Sequence, residues 1–189
     1  MPDPNPAAFE FLATRRSRPA KSLAAPGPDA DQLKEFLTVA SRVPDHGALV
    51  PWRFIVMGRG ALSELADVIA ARADALGKDP ADRDKVVSVY RNSPLCVAVV
   101  HAPKSSEKIP QSEQILTGGC VCMALVNAAM AKGWGANWIS GWLSYDPEIQ
   151  TYLGLSKDES IAGLIHIGTE TMAPPERPRP DIDAIKSWV

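Results

Sequence analysis

Apolar positions along this chain recur first at helical spacing and then in unbroken runs, and the change from one to the other lays out its elements. Asn5 and Pro6 form a cap and first-turn pair for a short helix with Phe9 and Leu12 on one face, ending near Thr14. After Ala24-Ala25-Pro26-Gly27-Pro28, Asp29 or Asp31 can cap a helix whose core face is Leu33, Phe36, Leu37 and Ala40, closed by Pro44. The turn Asp45-His46-Gly47 then leads through Pro51-Trp52 to a short strand, Arg53–Met57. Leu62, Leu65, Ile69, Ala73 and Leu76 mark the next helix and Pro80–Tyr90 another. Asn92-Ser93-Pro94 breaks the pattern before the apolar strand Leu95–His101, which predicts a central place in a sheet.

The longest apolar run organises the rest. Ile115 to Ala131 contains no formal charge, and the polar side chains after Gln114 are Thr117 and Asn127, on different faces. That pattern predicts a helix buried on all sides, ended by Lys132 and Gly133. The run falls short of the roughly 20 apolar residues of a membrane span and is diluted by Gly118, Gly119 and alanines. It reads as the central helix of a core or of a subunit interface. Its small residues would let a second backbone or a flat ligand approach. Trp134 to Trp142 then combines strand-forming aromatics with glycines, Asp146-Pro147 starts a helix through Tyr152 and Leu153, and Ser160–Ile167 is the last strand, terminated by Gly168. A proline-rich tail, Arg177-Pro178-Arg179-Pro180, precedes a short helix over Asp181–Trp188. Three strands among helices predict α/β layering around a small sheet in one domain, residues 1–189, with no indication of a doubly wound topology.

Charge and cysteine usage narrow the chemistry. A net charge of −2 offers no overall attraction to phosphate backbones or anionic lipid, so neither nucleic acid nor membrane is an expected partner. No secretory signal is visible at the N-terminus, and a cytoplasmic location is expected. Cys96, Cys120 and Cys122 are odd in number and in apolar settings, which predicts buried free thiols. His46, His101 and His166 lack metal-ligand spacing, and no metal is expected.

Against that near-neutral background Arg15-Arg16-Ser17-Arg18, with Lys21 close by, is a dense group of cations and a hydroxyl. It is either an anion site, since guanidinium forks and hydroxyls coordinate phosphate oxygens, or a solvated loop. His46 sits on a loop, where a lone histidine is either a hydrogen-bonded surface group or a base. Gly58-Arg59-Gly60 invites a dinucleotide-binding reading, but Ser63 stands at the third glycine position and the segment reads as a plain turn. Glu113 is placed to cap the positive end of the long helix. Ser140-Gly141 beside Trp138 would suit a flat aromatic ligand.

Taken together, Arg15-Arg16-Ser17-Arg18, Arg42-Val43-Pro44-Asp45-His46 with Pro51-Trp52, Trp138-Ile139-Ser140-Gly141 and Ile167-Gly168-Thr169 resemble the nitroreductase family, especially its small, minimal subgroup, over nearly the whole chain and in the right order. The resemblance implies an α+β fold, a small central mixed or antiparallel sheet flanked by helices, and an intertwined homodimer with FMN at two interface sites. It implies FMN contacts from Arg15, Arg16 and Ser17 of one subunit, from Arg42 and His46 of the other, and from Trp138, Ile139, Ser140 and Gly141 along the ring. It further implies hydride transfer from NADH or NADPH through the flavin to a nitroaromatic, quinone or related electron-poor acceptor by a ping-pong cycle, with no catalytic side chain of the protein's own. Storage or sensing of flavin on the same fold is the alternative. Val50 stands where the subgroup has glutamine before Pro-Trp, and Ile139 where it has an arginine; both departures remove polar contacts and leave donor preference open.

Overall fold

The computed structural model describes residues 3–189, so Met1 and Pro2, the start of the expected domain, lie outside the described residues. The elements in order are α1 (Pro6–Thr14), β1 (Leu23–Ala24), α2 (Ala30–Ala40), β2 (Trp52–Gly58), α3 (Arg59–Ala75), α4 (Pro80–Asn92), β3 (Leu95–His101), α5 (Gln111–Ala131), β4 (Gly135–Ile139), α6 (Trp142–Tyr145), α7 (Pro147–Tyr152), β5 (Ser160–Glu170) and α8 (Ile182–Ile185). Local chemistry explains most boundaries. Asn5 accepts from the Ala8 N–H at 3.1 Å, and Asp29 forms a reciprocal capping box with Gln32. Asp146 accepts from the N–H groups of Glu148 and Ile149, and Gly133 follows α5 at φ 86°.

Every strand pair is antiparallel, which corrects the α/β layering expected from the alternation of elements and leaves an α+β fold with a small antiparallel sheet. Strand β5 is the hub. It pairs with β3 from Leu95↔Ile167 to His101↔Ser160, with β4 from Gly135↔Gly168 to Ile139↔Leu164, and with β1 at Leu23↔Glu170 and Ala24↔Thr169. β2 adds to the far side of β3. The pairing with β1 carries β5 to Glu170, past the stop expected at Gly168. Gly58 and Arg59 join β2 directly to α3, and because β2 runs antiparallel to β3 there is no parallel crossover of the kind a dinucleotide fingerprint requires.

The sheet is covered on both faces, and β3 shows why its sequence lacks alternation: all seven of its residues are buried. Leu95, Val97 and Val99 join Phe36 of α2 and Val121, Leu125 and Val126 of α5 in one cluster. Cys96, Ala98 and Val100 join Leu62, Leu65 and Ile69 of α3 in the other. Each fully buried side chain of this kind contributes about 1.5–3 kcal/mol, so the two clusters fix the order of layers.

Three expectations yield to packing. α5 is not buried on all sides within this chain: Gln114, Thr117, Val121, Cys122, Leu125 and Val126 face the core, while Ile115 is 56% and Leu116 70% exposed. Cys120 lies on that open face, so only Cys96 and Cys122 are buried thiols. β4 stops at Ile139, its last partner on β5 being Leu164, and Trp142 opens α6 with Gly141 in extended conformation before it. α5 is also the one helix among the described residues long and apolar enough to cross a membrane; here its inner face packs on the sheet.

Candidate functional site

The dense cations of the N-terminal region do not lie in open solvent. Arg15, Arg16 and Ser17 line a small pocket of about 90 Å³ together with Arg177 and Arg179 from the proline-rich tail. Arg15 donates from Nη2 to Ser17 Oγ at 3.1 Å, while its buried Nε has no partner among the described residues. Burial and the neighbouring charges of Arg179 and Arg16 lower the Arg15 pKa from the usual guanidinium value. One carboxylate answers them. Glu176 Oε1 accepts from the Arg177 N–H at 3.0 Å and from Arg16 Nη1 at 2.8 Å and lies 3.0 Å from Arg179 Nη2; the Arg177 and Arg16 hydrogen bonds, with the charges of Arg16 and Arg179, hold its pKa below the ordinary carboxylate value. Four arginines, one carboxylate and an orphaned buried N–H form an environment suited to a dianionic group.

The sheet ties that pocket to the tryptophan segment. The Arg18 N–H donates to the Ala136 carbonyl at 2.9 Å, Asn137 Nδ2 donates to the Arg18 carbonyl at 2.9 Å, and Arg18 Nε pairs with Glu170 Oε2 at 3.0 Å. Residues 15–18 are thereby stapled across β4 and β5. The Trp138 indole occupies the place left by a missing side chain: a Cβ on Gly163 would lie 2.2 Å from Trp138 Nε1 and 2.8 Å from Cys122 Sγ, and one on Gly119 of α5 would lie 3.9 Å from the far edge of the indole. Gly163 of β5 thus leaves room for a flat ring beside the long helix, and in this chain the ring is Trp138. Ile139, Ser140 and Gly141 lie one turn of chain further on, along an apolar pocket of about 180 Å³ shared with Val89 and Tyr90.

His46 and Arg42 belong to a different part of the surface. His46 opens a 3-10 turn and lines a pocket of about 210 Å³ with Glu113, Thr117 and Cys120 of α5. Its Nδ1 lies 2.8 Å from Glu113 Oε2. Arg42 is exposed and has no ion-pair partner among the described residues. Val50, at the position of the family glutamine, stands at φ 51° with its N–H bonded to Asp45 Oδ2 at 2.8 Å, a conformation rare for a β-branched residue.

Residues 12–169 match the Nitroreductase family. The chain belongs to the nitroreductase family. It is 35% identical over 162 residues, 86% of its length and 87% of the relative's, to the Escherichia coli (strain K12) protein named "Putative NAD(P)H nitroreductase YdjA". It is 32% identical over 163 residues, 86% of this chain and 88% of the relative, to a "Putative NAD(P)H nitroreductase" of Haemophilus influenzae. Among solved structures, a nitroreductase-like family protein from Bacillus cereus superposes with a TM-score of 0.82 at 22% identity, covering 100% of this chain and 98% of that one. A nitroreductase with bound FMN from Bacteroides fragilis superposes with a TM-score of 0.72 at 20% identity, over 96% and 97% of the two chains.

For this nitroreductase-family chain, the family resemblance offered Arg177 or Arg179 as further phosphate contacts in the sequence without choosing between them, because a proline-rich tail has no periodicity to place it. Glu113 was read as a helix-end charge. That likeness and the excess of arginine in an otherwise near-neutral chain pointed to the first, while nothing in the spacing of residues 46 and 113 hinted at the second.

Proposed function

We propose that the protein is an FMN-dependent oxidoreductase that takes hydride from NADH or NADPH and passes it to a nitroaromatic, quinone or related electron-poor acceptor. The observation that carries this reading is the pocket of Arg15, Arg16, Ser17, Arg177 and Arg179, whose charge is only partly met by Glu176. FMN ends in a single phosphate, and a guanidinium cluster of this size suits one terminal dianion better than an internal pyrophosphate. When bound, FMN supplies the hydride chemistry; the chain supplies binding and orientation. Arg16 and Arg179 would exchange the Glu176 carboxylate for phosphate oxygens, Arg15 Nε would gain an acceptor, and residues 138–141 would line the ring. With nothing in the protein required to become covalently attached, donor and acceptor use one place in succession.

The working unit is a homodimer, intertwined so that Arg42 and His46 of one subunit complete the site built by the other. Apolar groups open in the single chain support this: Phe9 and Leu12 of α1, Leu116 of α5, and Ile182, Ile185 and Trp188 of the tail are all exposed, Trp188 by 90%. The dimer acts on small molecules in the cytoplasm, with the chain as one domain over residues 1–189.

Purified protein is expected to be yellow and to release FMN, not FAD, on denaturation, as chromatography of the released flavin will show. A colourless protein that cannot be reconstituted with FMN removes the reading. Varying NAD(P)H and acceptor should give parallel double-reciprocal lines, since both use one site in turn. If neither nucleotide bleaches the flavin although dithionite does, flavin storage or sensing is the better description.

A further inference from the structure

The loop that carries His46 is fastened to the start of α5 at three points. Thr117 Oγ1 lies 3.2 Å from the Pro44 carbonyl and donates to it, and Glu113 Oε2 lies 2.8 Å from His46 Nδ1. Gly47, at φ 70°, sits so close to Ile109 that an added Cβ would fall 2.6 Å from Ile109 Cδ1. Ala48 and Val50 both take φ 51°, where side-chain-bearing residues are uncommon. A backbone held in such conformations points to a residue whose placement matters.

We propose that Glu113 is a positioning residue for His46: its carboxylate fixes the proton on Nδ1 and leaves Nε2 as the nitrogen presented to bound flavin. This rests on the reading that His46 meets FMN. A carboxylate has only acceptors, so the hydrogen of the 2.8 Å contact belongs to His46 Nδ1. That bond sets the tautomer, and it sets the ring plane through an oxygen carried by a rigid helix. Nε2, at the far side of the ring, has no partner among the described residues, and the His46 side chain is 62% exposed. In the neutral ring Nε2 is therefore an acceptor, complementary to an N–H or O–H donor of the flavin, such as the imide of its ring or a ribityl hydroxyl. Two other polar groups lie around the contact: Asp45 Oδ2 is bonded to the Val50 N–H, and the free Cys120 lines the same pocket.

The test compares Glu113→Ala, Glu113→Gln and His46→Ala, using flavin fluorescence quenching to obtain the FMN Kd and imidazole nitrogen NMR shifts of the flavin-free protein to identify the tautomer. In Glu113→Ala the Kd should rise about fivefold, the worth of one oriented hydrogen bond, and the His46 ring should become a mixture of tautomers. Glu113→Gln keeps an oxygen acceptor and should restore the Nδ1–H form and most of the affinity. A purely helix-end role for Glu113 predicts instead that both substitutions lower stability alike while tautomer and Kd stay as in the parent, and that result overturns the proposal. If His46→Ala weakens FMN binding but Glu113→Ala does not, only the positioning role fails. If His46→Ala leaves the Kd unchanged, His46 does not meet the flavin, and the assignment of His46 to the site falls together with this one.

Discussion

Two arginine sites in this molecule differ in what surrounds the charge. Arg53, on β2, donates from Nε and Nη2 to the two oxygens of Glu159, each at 2.7 Å, and from Nη2 to the Gly154 carbonyl at 3.0 Å. The pair is complete: hydrogen bonding to Glu159 raises the Arg53 pKa, and Arg53 draws the Glu159 pKa down to about 2. Arg15 and Arg16 face each other and Arg179, with one carboxylate among them, and burial plus like charge lowers the Arg15 pKa. A completed fork fastens β2 to the turn before β5. An uncompleted one holds cations together at a cost that an incoming anion would relieve, which is the electrostatic mark of a binding site.

The largest effect expected on the fold comes from a group that has no charge partner at all. Ser93 Oγ donates to the Leu95 carbonyl at 3.1 Å, so His166 Nδ1, 2.9 Å away, donates to Ser93. His166 Nε2 is buried and orphaned, and burial lowers the His166 pKa to about 4. Because the folded pKa lies below the ordinary value of about 6.5, the unfolded chain binds the proton more readily. Stability is full above pH 6.5 and should fall by on the order of 3 kcal/mol as the pH drops through 6.5 to 4. Urea midpoints across that range measure it, and His166→Phe should flatten the slope. Glu159 adds its own loss only lower, between the ordinary carboxylate value and about 2. An acid transition in the upper window that survives His166→Phe would place the weakness in a charged cluster instead.

Exchanging the two arginine sites gives the next effect. Arg16→Ala should weaken FMN binding by about 1.5–3 kcal/mol, roughly ten- to a hundredfold in Kd, with little change in urea midpoint. Arg53→Ala should leave the FMN Kd alone and lower stability by about 2 kcal/mol, since it strands the partly buried Glu159 carboxylate. If both substitutions act on stability and neither on FMN, the cations at residues 15–17 are scaffold.

Smaller effects bear on the incomplete side of the comparison. Glu176→Gln removes the carboxylate that competes for Arg16 and Arg179 and should tighten FMN binding about threefold at low salt, less as screening increases. Lys21→Ala, outside that pocket, should change the Kd by less than about twofold.

Much of the scaffold was legible before any coordinates. The strand Leu95–His101 is observed with the bounds its apolar run gave, and the starts and stops set by Asn5, Asp146 and Gly133 follow from capping chemistry confined to a few residues. The two-residue β1 carried no signal, because a pairing that short is decided by its partner. The open stripe of α5, where burial on all sides was expected, was missed for a related reason. A uniformly apolar helix says that every face avoids water but not which neighbour covers each face, and within one chain Ile115, Leu116 and Cys120 are left uncovered.

Composition and local pattern therefore determined the elements, the lack of attraction to polyanions and the presence of an anomalous group of cations near the N-terminus, all properties that depend on residues close in sequence. The tertiary structure alone decided that Arg177 and Arg179 join Arg15 and Arg16, that Trp138 lies over Gly163, and that Glu113 grips His46. These contacts join segments from 25 to more than 160 residues apart, and they depend on how an antiparallel sheet folds the chain back on itself. No spacing rule reaches that far, because the side-chain periods of helix and strand hold only within one element.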